Sequence, residues 1–100
     1  MKNKINLAIQ VLPLGIPKDQ AYAIVDEAIR CIDSAGLTYL VCPFETVVEG
    51  PYDQVMELLA AIQDACRDAG AEEVLINMKL QRNFSKDVYI DDKVEKYRSA

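Results

Sequence analysis

The sequence predicts an α+β domain of the split βαββαβ kind, a four-stranded antiparallel sheet with two helices on one face and a short C-terminal helix. Three observations predict it. Strand-like alternation occurs near both ends of the chain, two helical stripes of similar length each close on a glycine, and the stretch between the helices is β-rich and broken by a proline. One hundred residues make a single domain with one modest core, spanning 1–100.

From Ile5 to Leu12 the odd positions Ile5, Leu7, Ile9 and Val11 are all apolar, while the even positions are Asn6, Ala8, Gln10 and Leu12. This is a period-two strand with two amides on its second face. Pro13, Gly15 and Pro17 then punctuate a loop, and Pro17 suits the first turn of a helix because its missing N–H would have no partner there. Ala21, Ile24, Val25, Ala28, Ile29 and Ile32 form one helical stripe to about Ala35, with Gly36 as the left-handed C-cap.

Residues 38 to 50 combine β-branched and aromatic residues with Glu45, Thr46 and Glu49. Pro43 cannot donate to a ladder, so this stretch reads as a hairpin turning near 42–44 whose second strand carries polar groups. Glu45, Val47 and Glu49 share one face of that strand and Phe44, Thr46 and Val48 the other; parity leaves open which face lies under the helices.

A second helix begins at Gly50-Pro51, carries an apolar stripe of Val55, Leu58, Leu59, Ile62, Cys66 and Ala69, and closes at Gly70. Residues 73–82 alternate again, with Val74, Ile76, Met78 and Leu80 opposite Leu75, Asn77, Lys79 and Gln81. Residues 83–89 read as loop, and 91–98 as a short helix capped by Asp91 and anchored by Val94 and Tyr97, which must dock on another surface to persist. Right-handed crossovers place both long helices on one face of the sheet, leaving the other bare for pairing with a second subunit.

The composition narrows the function. A net charge of -5 with scattered basic residues disfavours a nucleic-acid surface and suits neutral or cationic small ligands. Three cysteines at spacings of 11 and 24, with no histidine, predict buried thiols, no metal site and a reducing cytoplasm. No stretch approaches the ~20 apolar residues of a membrane span, and the start lacks a signal-peptide pattern, so the expected chain is unprocessed and cytoplasmic.

A carboxylate, a hydroxyl and amides around a small apolar pocket suit a flat heterocycle with donors and acceptors on its edge, with Tyr39 and Met78 as candidate walls. Two other classes stay open. One is a regulatory module of the amino-acid-binding type; the other is a small oligomeric isomerase or hydrolase with Glu45 or Glu49 as base.

Four runs resemble the family of small thiamine-binding proteins: Asn-Leu-Ala-Ile-Gln-Val-Leu-Pro at 6–13, Ser-Ala-Gly-Leu-Thr-Tyr at 34–39, Pro-Phe-Glu-Thr-Val-Val-Glu-Gly at 43–50 and Asp-Lys-Val-Glu-Lys-Tyr-Arg at 92–98. The most specific is the Pro-x-x-Thr-x-x-Glu-Gly run. The resemblance implies a ferredoxin-like fold, homodimers through open sheet faces that pair into tetramers, and binding of thiamine or its hydroxymethylpyrimidine part rather than catalysis, with no further cofactor. It implies Thr46 and Glu49 as ligand-binding residues, with Gln10 and Asn6 next. Ser34 is a weaker ligand-binding transfer, because the family shows Ser-Gly-Leu there and this chain interposes Ala35. Glu49 is expected at the pyrimidine amine, Thr46 and Gln10 at ring nitrogens or the pocket rim, and Asn6 as lining.

Overall fold

The computed structural model describes residues 3–98. Its elements run β1 (Lys4–Pro13), α1 (Lys18–Ser34), β2 (Thr38–Val41), β3 (Thr46–Pro51), α2 (Tyr52–Asp68), β4 (Val74–Gln81) and α3 (Ile90–Arg98). The strands form one antiparallel sheet of order β2-β3-β1-β4, the ferredoxin-like split βαββαβ plan.

Local chemistry sets the boundaries. Pro17 and Pro51 are the N-cap residues of α1 and α2, each at φ -58 and extended ψ, so each proline sits one position before the helix it starts. The Pro17 carbonyl accepts from the Ala21 N–H at 2.9 Å, the first helical bond of α1. Gly36 at φ +73 turns the chain out of α1 into β2. Gly50 has a different purpose, since a Cβ there would stand 3.1 Å from the Leu37 side chain where the β2 approach packs against β3.

Both long helices lie on one sheet face. Ile5, Leu7, Ile9 and Val48 from the sheet meet Ile24, Ala28 and Ile32 from α1 and Val55, Leu58, Ile62 and Cys66 from α2. Burying an aliphatic side chain of this size contributes about 1.5–3 kcal/mol, so this cluster is the main driving force of the fold. The alternation read in β1 thus places its odd positions in the core. In β4 Val74 and Ile76 pack against it, while Met78 and Leu80 on the same edge strand are half exposed.

The C-terminal helix departs from the sequence reading. It begins at Ile90 rather than Asp91, and its anchors are Val88 and Ile90, both buried, whereas Tyr97 is exposed. Its first N–H is met by Glu49 from β3, 41 residues away, not by a local cap. Among the described residues no helix is long and apolar enough to cross a membrane.

Candidate functional site

A cavity follows from unequal strand pairing. β1 pairs with β3 only from Lys4↔Pro51 to Ile9↔Thr46, yet its ladder with β4 continues to Pro13↔Val74. The β3 side of β1 is therefore unpaired over residues 10–13. There the chain turns at 42–45, closed by the Cys42 N–H donating to the Glu45 carbonyl at 2.9 Å. The turn and α1 border a space of about 580 Å³ beside that unpaired edge.

The walls come from three elements. Ala21, Val25 and Ile29 are the part of the α1 stripe that the sheet does not fully cover, and they form one side. Ile9 and Val11 form the floor, and Cys42, Phe44, Glu45 and Thr46 the hairpin side. Tyr22 and Phe44, 59% and 82% exposed, stand at the mouth. Among the described residues no lysine or arginine lines the space; Glu45 borders it through the turn, with its carboxylate directed to Lys79, 4.0 Å away on the sheet face away from the helices. The chemistry available is thus an apolar slot with aromatic faces and a hydroxyl, suited to a neutral or cationic ring.

Thr46 supplies the hydroxyl. Its register opposite Ile9 puts it on the helix face, where the residue is 6% exposed. The hydroxyl has no hydrogen-bond partner among the described residues, and no fully enclosed side-chain polar atom there is left unsatisfied, so this oxygen opens onto the cavity. Gln10 also borders the space, and its Oε1 accepts from Asn77 Nδ2 at 3.2 Å on the opposite sheet face.

The other candidates lie elsewhere. Asn6 and Glu49 are direct neighbours across β1 and β3 on the face away from the long helices, and both are buried. They hold the C-terminal segment: Asn6 Nδ2 donates to the Val88 carbonyl at 3.0 Å, Lys93 Nζ donates to Asn6 Oδ1 at 2.8 Å, and the Ile90 N–H donates to Glu49 Oε1 at 2.5 Å. Ser34 is exposed at the end of α1 beside a separate shallow depression with Leu37 and Gln54. The structure therefore brings Asn6 together with Glu49, sets the side chains of Thr46 and Gln10 on opposite faces of the sheet, and leaves Ser34 apart.

Tyr39 and Met78 do not line the cavity. The Tyr39 hydroxyl donates to Asp33 Oδ1 at 2.8 Å, which raises its pKa, and Met78 is half exposed on the edge strand β4. Sequence reasoning missed Tyr22, Phe44 and Cys42. Tyr22 follows Ala21 just off the apolar stripe, and Phe44 is an aromatic on a proline turn; both facts were visible without indicating a shared cavity.

The segment that Asn6 and Glu49 hold is tied to β1 as well. The Val88 N–H donates to the Lys4 carbonyl at 3.0 Å, and the Lys4 N–H donates to Asp87 Oδ1 at 2.8 Å. That bond, with a second from the Tyr89 hydroxyl, holds the Asp87 carboxyl below its ordinary value. A carboxyl with a depressed folded-state pKa stabilises above the unfolded value, and the gain is lost as pH falls through the folded one. Asp87→Asn is therefore expected to lower the melting temperature above about pH 4, with the difference from the parent closing as pH falls further. Melting curves of both proteins from pH 2.5 to 6 check it; a constant difference would contradict it.

The chain's likeness to known proteins covers nearly all of it. A family model described as thiamine-binding protein matches residues 7–98. A UPF0045 protein of Clostridium perfringens is 35% identical over 94 residues, covering 93% of this chain and 96% of that one. Among solved structures, a domain of unknown function, DUF77, from Bacillus cereus aligns with a TM-score of 0.91 at 38% identity, over 99% of this chain and 94% of that chain. A Thermotoga maritima protein, described as a candidate thiamine biosynthesis/salvage protein, aligns with a TM-score of 0.87 at 26% identity, over 95% of this chain and 99% of that chain.

Proposed function

We propose that this chain, which belongs to the thiamine-binding protein family, binds thiamine or its hydroxymethylpyrimidine part in the cavity between α1 and the β2–β3 turn. The observation that carries the reading is Thr46, a nearly buried residue whose hydroxyl has no partner among the described residues and opens onto an otherwise apolar cavity. An aminopyrimidine presents ring nitrogens that such a hydroxyl can donate to, and Gln10 stands at the edge of the same space. The thiazolium charge suits the mouth, where Tyr22 and Phe44 offer ring faces.

The reading is of binding without turnover, a protein that buffers, carries or senses the vitamin in the cytoplasm. Two carboxylates placed for acid–base work would support catalysis. Glu45 in the turn and Glu49 on β3 lie four residues apart, about 13 Å along an extended chain, with Glu49 bonded to the Ile90 N–H and Glu45 4.0 Å from Lys79. In this proposal Thr46 touches the ligand, Gln10 borders the space with its amide on the opposite sheet face, and Asn6 and Glu49 act through the C-terminal segment.

Calorimetric titration with thiamine, hydroxymethylpyrimidine and thiamine diphosphate tests the reading. Saturable binding is expected, with Thr46→Val weakening it about five- to tenfold, the ~1 kcal/mol of one hydrogen bond. No binding to any of the three ligands would overturn it.

The same reading includes self-association through the open sheet face. Leu40 and Leu75, 39% and 50% exposed, share that face with Ala8, Leu12 and Val47, more apolar surface than a solvated sheet face ordinarily keeps. Light scattering on a size-exclusion column is expected to give a dimer or a tetramer. A monomer at micromolar concentration would contradict the pairing.

A further inference from the structure

We propose that Lys18 makes the mouth of the cavity a phosphate subsite, so that the protein takes the monophosphate ester of thiamine in preference to thiamine itself. The inference rests on the reading of the cavity as the thiamine site and adds which form of the vitamin it holds. Lys18 and Tyr22 stand four residues apart in α1, about one helical turn, and so share a face of the helix. The Lys18 Nζ lies over the Tyr22 ring, 5.7 Å from its centroid. Tyr22 borders the cavity at its mouth, which brings the ammonium to that mouth although Lys18 forms no part of the walls.

That charge is available to a ligand. Arg30, further along α1, is paired with Glu27, and Lys79 faces Glu45 on the other side of the sheet. Lys18 enters no ion pair among the described residues and is exposed. Its stem rests on an aromatic face while its head, with three N–H donors, stays in water. The cavity itself holds no cation, so Lys18 decides how an anionic group is received at its entrance.

The ester matches this arrangement of charges. It carries a cationic thiazolium and, a short arm away, a phosphate monoester of about -1.5 to -2 charge at neutral pH. With the pyrimidine at the Thr46 hydroxyl and the thiazolium against the Tyr22 and Phe44 rings, the arm leaves the mouth beside Lys18. Thiamine without the phosphate brings only a positive charge toward the ammonium, which is unfavourable, and the ester reverses the sign of that contact. The net charge of -5 opposes the entry of anions in general, so the preference depends on this one local cation. A second phosphate would reach past the ammonium into the field of an acidic protein, with Asp19 next in the chain, which favours the monophosphate over the diphosphate.

Calorimetric titration of the full chain with thiamine, thiamine monophosphate and hydroxymethylpyrimidine tests the proposal, on the parent, Lys18→Met and Lys18→Arg. The parent is expected to bind the monophosphate about fivefold more tightly than thiamine at low salt, with most of that difference lost at about 0.5 M salt, as for any exposed charge pair. Lys18→Met is expected to lose about fivefold for the monophosphate, to gain up to about twofold for thiamine, and to leave hydroxymethylpyrimidine unchanged. Lys18→Arg keeps the charge and is expected to keep the parent's order. Because Lys18 is exposed, melting curves of both variants should match the parent's. A parent that binds thiamine as tightly as the monophosphate, or equal losses for the monophosphate and hydroxymethylpyrimidine in Lys18→Met, would overturn the phosphate subsite and leave the cavity reading standing. Binding of none of these compounds would overturn both.

Discussion

Ala21→Phe is expected to reduce thiamine affinity about 100-fold, ~2.7 kcal/mol, while the protein stays folded. Ala21 lies on the part of α1 that faces the cavity rather than the core, and it is half-buried. A benzyl group there enters empty space between α1 and the 42–45 turn, so it takes the ligand's volume without displacing Ile24 or Ile32 from their packing. The melting temperature should move by only a few degrees, because the cost of a change at a cavity wall is of order 1 kcal/mol or less. Calorimetry beside a melting curve separates the two effects. Near-parental affinity in a folded Ala21→Phe protein would place the ligand somewhere other than this cavity.

Glu49→Ala is expected to destabilise the fold by about 2 kcal/mol, lowering the melting temperature by roughly 10 °C, and to free the C-terminal segment for proteolysis. Its carboxylate accepts the Ile90 N–H at 2.5 Å where α3 starts, a position at which an anion also complements the helix dipole. Removing it strands a buried donor, the costly half of a broken hydrogen bond. Glu49→Gln keeps an acceptor and should lose less than half as much. The pair of variants distinguishes the two roles available to this residue. A glutamate that holds the pyrimidine amine would lose more than about twofold in affinity as glutamine with stability little changed, whereas one that caps α3 shows the reverse. Limited proteolysis followed by mass spectrometry locates the freed segment; cleavage confined to other loops would contradict the capping role.

These two residues also show what was legible in the sequence. The alternation of Ile5, Leu7 and Ile9 and the stripe of Ile24, Ala28 and Ile32 both report burial through periodicity, and periodicity is a local property that one chain displays fully. The turn at Pro43 was legible for the same reason. The face of Thr46 was not, because β3 has two parities and only its pairing opposite Ile9 selects between them. The cavity was hidden too, since it exists where β1 outruns β3 by four residues, a mismatch that needs the register to be known. Glu49 was the hardest. Its strand position marks it for the open face, yet it is buried because Val88 and Ile90, within and just after what reads as loop, fold back over it. Contacts between positions 41 and more than 80 residues apart leave no mark in local pattern.

The family motif and the fold thus separate within one short run. Thr46 and Glu49 stand three residues apart in the same matching stretch, so they point to opposite faces of the sheet. One reaches the cavity under α1 and the other reaches the C-terminal segment. A motif carries both ligand contacts and the contacts that hold the fold around them, and burial with hydrogen-bond partners is what tells them apart.

The most direct test of where the ligand sits is a nitrogen-15 NMR titration of the full chain with thiamine. Amide shifts are expected to cluster at 9–13, along the cavity side of α1 at 21–32, and at 41–46, with Ser34 and the 87–93 segment little changed. Shifts centred on Asn6, Glu49 and residues 87–93, or no saturable shifts at all, would contradict the placement of thiamine in the α1 cavity.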